Sequence, residues 1–307
     1  MTRAWFMAAV LLTGMLAPAD AGAALERAIP NAAAEAGEHP EHSFRTSVDQ
    51  WIAELSRESE FEAWRSASWT HYPLGPGTHG WVIIIRDNGY REIGYLIVSA
   101  TADGKYRLME YGSGHMPLFS ETTLRQSLES AGLEGSSFSG QAQIKRLYMD
   151  ALHAFWKVSE NGVTRYADAK SGMWLPAAFE PGDSTEASAA SLSEPSGAPV
   201  HKVTEAADPY ARLDWLDAQE RSMGGWNDFA AIWEERSGTL VFRAELDESV
   251  MIPYGVAGYH WWAPHERQPA NGGRPDSPPP LRGFVALEDN GTRFVPLHAL
   301  LLSGSFH

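Results

Sequence analysis

The sequence predicts an α+β protein of two small domains, each with helices packed on an antiparallel β-sheet. Apolar, β-branched runs separated by tight-turn signals occur in both halves of the chain, at residues 80–112 and 282–297. Amphipathic helix patterns precede both sets of strands. Residues 181–208 are rich in Ser, Ala, Pro, Gly and Glu and have no periodic apolar pattern, which predicts a disordered linker. The two domains are therefore expected at residues 44–180 and 209–307.

The N-terminus has the pattern of an export signal. Arg3 is followed by an apolar run over residues 5–18, which is short for a membrane span, and then by two Ala-x-Ala patterns. We expect a signal peptide over residues 1–23, a flexible mature N-terminus over residues 24–43, and a secreted, extracellular protein. An uncleaved N-terminal anchor is the alternative. No later segment is long and apolar enough for stable membrane insertion after signal removal.

The composition excludes several classes of function. The chain contains no cysteine, so disulfides, thiolate metal sites and cysteine nucleophiles are excluded. Its formal net charge of −15 argues against nucleic acid as a partner, because phosphate binding depends on clustered Lys and Arg. Hydrophobic residues make up 44% of the chain and include 12 Trp, so the core must hold the protein without disulfides. No cofactor is indicated.

Two helices are predicted in the first domain. Apolar residues recur mostly at three- and four-residue spacing over residues 44–61, which is typical of an amphipathic helix. Thr46 or Ser47 could be its N-cap. The second helix is expected over residues 117–133, with Ser120 as its N-cap.

The strands of the first domain form a predicted three-stranded meander. Residues 81–85 and 91–100 are apolar on both faces, so both should be inner strands. Residues 105–112 are more polar and fit an edge strand. Between the first two of these strands, the sequence Asp87-Asn88-Gly89 indicates a hairpin turn, with positive φ expected at Gly89.

The second domain is predicted to begin with two helices and to continue as a small antiparallel sheet. Asp208 can cap a helix over residues 209–223, and a shorter helix is expected over residues 226–236. Four strand patterns follow, at residues 238–246, 249–262, 282–288 and 292–297.

A segment of the first domain resembles a known type of module. Residues 153–176 have two strand patterns around an Asn-Gly turn, followed by Tyr166, Asp168, Ala169 and Gly172. This pattern resembles the end of a PepSY-type module, and residues 94–112 are similar to a strand pair in the propeptides of streptopain-like cysteine proteases. The resemblance covers about residues 44–176. It implies a small helix-plus-sheet fold that binds a peptidase, although no recognisable peptidase follows in this chain.

The candidate ligand-binding residues are Tyr259, His260, Trp261 and Trp262. They end a strand pattern and precede a proline-rich segment. Strand alternation places the two tryptophans on opposite faces, so one could be exposed and stack on a sugar ring or a peptide. The alternative is that both cover the sheet.

Known catalytic motifs are missing from the sequence. The zinc-protease motif His-Glu-x-x-His is not present. The sequence has one His-Glu pair, His265-Glu266, and no histidine follows it at the required spacing. His260, His265 and Glu266 are of types that bind zinc, but their spacing fixes no convergent site. Ser113 lies near His115 between glycines that favour a loop, without the spacing of a nucleophile elbow. We therefore predict no catalytic residue and no metal site.

These observations favour a secreted, non-catalytic protein-binding module that could modulate an exported peptidase. The first alternative is a cell-wall or polysaccharide-binding protein that uses the aromatic cluster. The second alternative is an uncharacterised hydrolase whose acidic, His and Ser side chains converge from separate segments. The expected partners are accordingly an exported protein or a cell-wall polysaccharide.

Overall fold

Helices and antiparallel strands are combined in this chain, which confirms the α+β class. The computed structural model describes residues 40–75, 79–133, 143–182, 194–247, 250–264 and 281–307. The predicted signal peptide lies outside these residues. Among the helices within them, none is long and apolar enough to cross a membrane.

The first predicted helix forms, but it begins earlier than expected. Helix α1 covers Pro40–Leu55, and proline suits a first helical position because its missing N–H would have no partner there. The end of the predicted flexible segment, residues 24–43, is therefore helical. Thr46 and Ser47 are not N-caps, because they lie inside the helix and their hydroxyls donate to backbone carbonyls one turn earlier. A 3₁₀ helix, η1 (Ser59–Ser66), follows.

The main sheet has ten strands among the described residues. They are β1 (Ser68–Pro73), β2 (Gly80–Arg86), β3 (Glu92–Ala100), β4 (Tyr106–Ser113), β8 (Val200–Val203), β9 (Val241–Asp247), β10 (Val250–Trp262), β11 (Arg282–Glu288), β12 (Thr292–Pro296) and β13 (Gly304–Phe306). Their order is β1-β2-β3-β4-β12-β11-β10-β9-β13, and β8 also pairs with β10. All the pairings are antiparallel, so the predicted meander of β2, β3 and β4 is confirmed.

Strand β4 is not the edge that its polar sequence predicted. It pairs with β12 across a short seam, where Tyr111 lies opposite Phe294 and Gly112 lies opposite Arg293. One of the polar residues behind the edge prediction, Glu110, is fully buried and ion-paired. The outer strand next to β2 is instead β1, which the sequence analysis did not predict.

A second, three-stranded sheet contains β5 (Gln143–Tyr148), β6 (Ala154–Glu160) and β7 (Val163–Asp168). The predicted Asn161-Gly162 turn joins β6 to β7, and both of its residues have positive φ. The turn between β2 and β3 differs from the prediction, because the positive φ lies at Tyr90 and not at Gly89. Asp87 accepts the backbone N–H groups of Gly89 and Arg91, which fixes this longer turn.

Both faces of the main sheet are covered. On the front face, α1 and η1 pack on alternate residues of the central strands, including Ile83 and Leu96. On the back face lie the three-stranded sheet and three helices, α2 (Glu121–Ser130), α3 (Trp226–Arg236) and α4 (Leu297–Ser303). The predicted N-cap of α2 is confirmed, because the Ser120 hydroxyl accepts the Thr123 N–H.

The predicted division into two domains is not confirmed. Residues 40–307 form one unit, and the main sheet contains strands from both predicted domains. The small sheet also connects the halves, because Trp156 packs on β2 and β3 while Phe155 packs in a cluster with Leu246 of β9. Two of the hydrophobic clusters thus contain residues from both halves, because the front-face cluster joins Phe61 to Phe294 and the cluster of Phe155 includes Leu246.

Two segments differ from their predicted conformation. Residues 194–208 belong to the predicted disordered linker, but they contribute β8, whereas residues 183–193 lie outside the described residues. The predicted helix over residues 209–223 is replaced by turns and a short 3₁₀ helix, η2 (Asp214–Leu216). The Asp208 side chain accepts the N–H of Tyr210, which is the bond expected of the predicted N-cap, and the Arg212 N–H donates to the Asp208 carbonyl. The chain nevertheless forms only this turn and the 3₁₀ helix, without a continuous α-helix.

Candidate functional site

Strand β10 divides the four candidate ligand-binding residues between the two faces of the sheet. Tyr259 and Trp261 lie on the back face, where Trp261 packs edge-on against Trp226 of α3 at a centroid distance of 5.9 Å. His260 and Trp262 lie on the opposite, front face, and their rings stack at 5.6 Å with an interplanar angle of 12°. The two tryptophans therefore point to opposite faces, as strand alternation predicted.

These side chains are mostly packed against the protein. Tyr259, His260 and Trp262 are buried, and Trp261 is half-buried. A ring that stacks on a sugar needs one open face, and these four residues do not form an exposed platform. Their role in ligand binding remains a prediction.

On the front face His260 belongs to a polar cluster that connects several elements. It lies directly opposite His201 of β8, and the two imidazole rings are 4.7 Å apart. The hydroxyl oxygen of Tyr111, on β4, is 2.7 Å from Nδ1 of His260. The cluster thus joins β8 and β10 to the strand that forms the seam.

His201 extends this cluster to carboxylates near η1. Its Nδ1 is 3.0 Å from Oε2 of Glu58, and its Nε2 is 3.6 Å from Oε2 of Glu60, which is an ion-pair distance. The other carboxylate oxygen of Glu60 accepts a 2.8 Å hydrogen bond from the Ser113 hydroxyl. These contacts tie β8 to the covering 3₁₀ helix.

The two histidines have opposite electrostatic surroundings. Burial, reinforced by the neighbouring His201, lowers the pKa of His260 to about 3. Burial also acts to lower the pKa of His201, but the carboxylates of Glu60 and Glu58 outweigh burial and raise that pKa above its usual value. The carboxylates thus favour the protonated form of His201, whereas burial favours the neutral imidazole at His260.

This arrangement is better suited to holding strands than to catalysis. The Ser113 hydroxyl donates to Glu60, so no imidazole accepts its proton as activation of a serine nucleophile requires. His201 is occupied by its two carboxylate partners. Within the described ranges, no group of three His, Asp or Glu side chains is arranged to hold a metal ion.

A second polar network lies on the back of the seam. Glu110 of β4 and Arg293 of β12 form a buried ion pair with an N–O distance of 2.8 Å. The hydroxyls of Tyr95 and Tyr148 donate to the two carboxylate oxygens of Glu110, at 2.5 and 2.9 Å. Asp289 is a second counter-charge of Arg293, at an N–O distance of 3.7 Å. This network favours one arrangement of the strands, because displacing Arg293 would leave the Glu110 carboxylate buried without its counter-charge.

The residues that carry the PepSY-like pattern form a tight turn after β7. The Asp168 carboxylate accepts the backbone N–H groups of Lys170 and Ser171, and Gly172 has a φ of +72°. This explains the aspartate and the glycine by turn chemistry alone. The family resemblance is neither supported nor contradicted by this geometry.

An exposed apolar surface was missed by the sequence analysis. Tyr210, Leu213 and Leu216 are 71%, 58% and 58% exposed, and we call these three residues the 210–216 surface. The helix predicted over this segment would have turned part of its apolar set inward. In the observed turns, Trp215 is the half-buried residue, and its indole N–H donates to the Pro209 carbonyl at 2.8 Å.

The segment that carries this surface is attached to the C-terminal strand. The Arg221 N–H donates to the Phe306 carbonyl at 2.8 Å, and Nδ1 of His307 is 3.1 Å from the Ala218 carbonyl oxygen. The rings of Trp215 and His307 are also 6.3 Å apart. The exposed apolar side chains are thus presented on a segment that is fixed at both its centre and its end.

Comparisons of the chain with protein-family models, with curated proteins and with solved structures give no match. The function must therefore be argued from the side chains themselves.

Proposed function

We propose that this chain is an exported, non-catalytic protein that binds another polypeptide through the 210–216 surface. The observation that carries the proposal is the exposure of Tyr210, Leu213 and Leu216 within seven residues of one fixed segment. Single exposed apolar residues are ordinary on protein surfaces, whereas several together are typical of interaction sites.

The attachment of this segment also supports a binding role. Ordering a flexible loop on binding would cost conformational entropy, and a segment already held by hydrogen bonds avoids much of that cost. The hydrogen bonds of Trp215 and Arg221 provide this restraint while the apolar side chains remain outside.

Export and peptidase modulation are parts of the proposal that rest on the sequence. The apolar leader over residues 5–18 supports export, and the PepSY-like pattern supports a peptidase as one class of partner. Burial of Tyr259, His260 and Trp262 leaves the polysaccharide alternative without a supporting observation. The hydrogen bond from Ser113 to Glu60 likewise gives no support to the hydrolase alternative.

The test compares capture of exported proteins by wild type and by a surface variant. The variant carries Tyr210→Ser, Leu213→Ser and Leu216→Ser, and it should melt within a few degrees of wild type because these side chains are exposed. We expect wild type to retain a specific polypeptide from the exported proteins of the producing cells, and the variant to lose it.

The matched control replaces two other exposed apolar residues, Met251 and Leu302, by serine. They are 57% and 58% exposed and lie on β10 and α4, away in sequence from the 210–216 surface. The control should retain the same polypeptide as wild type. Equal retention by all three proteins would contradict the proposal.

A further inference from the structure

Acidic residues adjoin the 210–216 surface in sequence. Residues 208–220 contain four acidic residues and one basic residue, Arg212. Asp208, Asp214, Asp217 and Glu220 are all exposed. Arg212 pairs with Asp214 at 3.2 Å and offsets one negative charge, so four carboxylates and one guanidinium leave residues 208–220 with a net charge of −3.

The local backbone places the apolar and acidic residues in neighbouring rows. The Leu216 N–H donates to the Leu213 carbonyl at 3.1 Å, which is a 3₁₀ hydrogen bond. Side chains three residues apart lie on the same side of a 3₁₀ turn, so Leu213 and Leu216 share one side. Asp214 and Asp217 have the same spacing and lie one residue further round. An apolar row therefore runs beside an acidic row.

We propose that the 210–216 surface binds a basic amphipathic segment of another polypeptide. The apolar side chains of that segment pack on Tyr210, Leu213 and Leu216, and its Lys or Arg side chains face the adjoining carboxylates. This inference rests on the proposed function and specifies the chemistry of its partner.

Charge argues against two other possible occupants of this surface, a second copy of the chain and the chain's own N-terminal residues. A second copy of this chain would bring a net charge of −15 toward an acidic surface. The chain's own residues 1–39 contain two Arg against four Asp and Glu residues, so they are not basic either. A partner with an excess of Lys and Arg complements both rows.

The test uses two synthetic amphipathic peptides of identical apolar sequence, one with Lys and one with Glu at its polar positions. Binding to the wild-type chain is measured by fluorescence anisotropy at low and high salt. We expect the Lys peptide to bind and the Glu peptide to bind at least tenfold more weakly. The affinity for the Lys peptide should fall as salt rises, because exposed charges are screened.

Three variants locate the binding. The triple serine variant of the 210–216 surface should lose at least tenfold in affinity for the Lys peptide. A charge variant, Asp214→Asn with Asp217→Asn and Glu220→Gln, should lose affinity and show a weaker salt dependence. The control neutralises three exposed carboxylates elsewhere and should bind like wild type; its changes are Glu41→Gln, Glu62→Gln and Glu129→Gln.

The outcomes separate this inference from the proposed function. Equal loss of affinity in the charge variant and its control would indicate general attraction to an acidic protein and would overturn the inference. So would equal binding of the Lys and Glu peptides, or self-association of the wild type that the triple serine variant abolishes. Capture of an exported polypeptide that needs Leu213 and Leu216 but not Asp214 or Asp217 would keep the proposed function and reject its basic partner.

Discussion

Replacement of His260 should remove much of the acid sensitivity of the folded protein. His260 is buried, its ring stacks on Trp262, and its pKa is lowered to about 3. The same side chain in the unfolded chain has a pKa of about 6.5. As pH falls below 6.5, the unfolded chain therefore takes up a proton at this position while the folded protein does not.

The expected magnitude follows from the two pKa values. The free energy of unfolding should fall by roughly 2 kcal/mol between pH 7 and pH 5 because of this one histidine. The stability contribution is present above the unfolded pKa and is lost progressively as pH falls toward the folded pKa. The opposite holds for His201, whose raised pKa gives a contribution that is present below pH 6.5 and is lost as pH rises through its folded pKa. The two histidines thus act in different pH windows.

The assay is urea unfolding of wild type and of the His260→Gln variant at pH 7, 6 and 5. Glutamine keeps an acceptor for the Tyr111 hydroxyl but cannot be protonated in this range. The difference in free energy of unfolding between the proteins should change by about 2 kcal/mol in favour of the variant from pH 7 to pH 5. Because this quantity is a difference between the two proteins, the contributions of titrating groups that both share, such as Asp289 and Glu288, cancel.

Tyr111→Phe provides the matched control for the lost hydrogen bond. It removes the hydroxyl that lies 2.7 Å from His260 but leaves the imidazole in place. This variant should be less stable than wild type at every pH and should keep the acid-dependent slope. If the His260→Gln and wild-type curves stay parallel from pH 7 to pH 5, the buried neutral histidine does not control acid stability and the reasoning fails.

Three further predictions test the packing of the chain. Gly94→Ala should cost about 1–3 kcal/mol in urea unfolding, because its Cβ would lie 2.4 Å from the indole ring packed on it, whereas Gly182→Ala has open space and should be neutral. Glu110→Gln should cost up to about 3–5 kcal/mol by removing one of the two counter-charges of buried Arg293, the other being Asp289 at an N–O distance of 3.7 Å, and adding Arg293→Met should recover part of this loss; no recovery would contradict the ion-pair argument. Cleavage at a protease site engineered into residues 183–193 should give two fragments that co-elute in gel filtration until urea is added, since one sheet joins them; separate elution without urea would refute the shared core.

The sequence predicted the elements whose signals are local. Strand pairs β2–β3, β6–β7 and β11–β12 are each joined by a turn marked by Asn-Gly, and their apolar patterns are continuous. Helices α1, α2 and α3 likewise have periodic apolar faces. In these cases the residues that pair or pack are close in sequence, so the pattern itself contains the information.

The sequence did not predict the pairing of distant elements. Strand β8 has a polar sequence that looks like linker, and it becomes a strand only because β10 offers a partner. Strand β4 looked like an edge because the partner that satisfies Glu110 is Arg293, 183 residues further along the chain. Burial of a charge can be predicted only when its counter-charge is known.

The candidate site was predicted only in part for the same reason. His260 was selected from its neighbours in sequence, but Tyr111 and His201 are 149 and 59 residues away from it. No spacing rule links these residues, because each lies on a different strand of the same sheet. The exposed residues Leu213 and Leu216 were hidden by a helical pattern, because the segment forms turns and a three-residue 3₁₀ helix in place of the predicted α-helix.

The seam between β4 and β12 shows how side chains can set the arrangement of a whole sheet. Only two residue pairs are in register there, which is a short ladder for joining a four-stranded group to a six-stranded group. Tyr111 and Phe294 stack at 4.7 Å on the front of the seam, and Glu110 pairs with Arg293 on the back. A shift by one residue would exchange the two faces, moving the charges into the aromatic front core and the rings into the polar network. The buried ion pair therefore contributes more to the choice of register than to net stability, and the carboxylate–imidazole cluster around His201 acts alongside it by holding η1 over the front of the same seam.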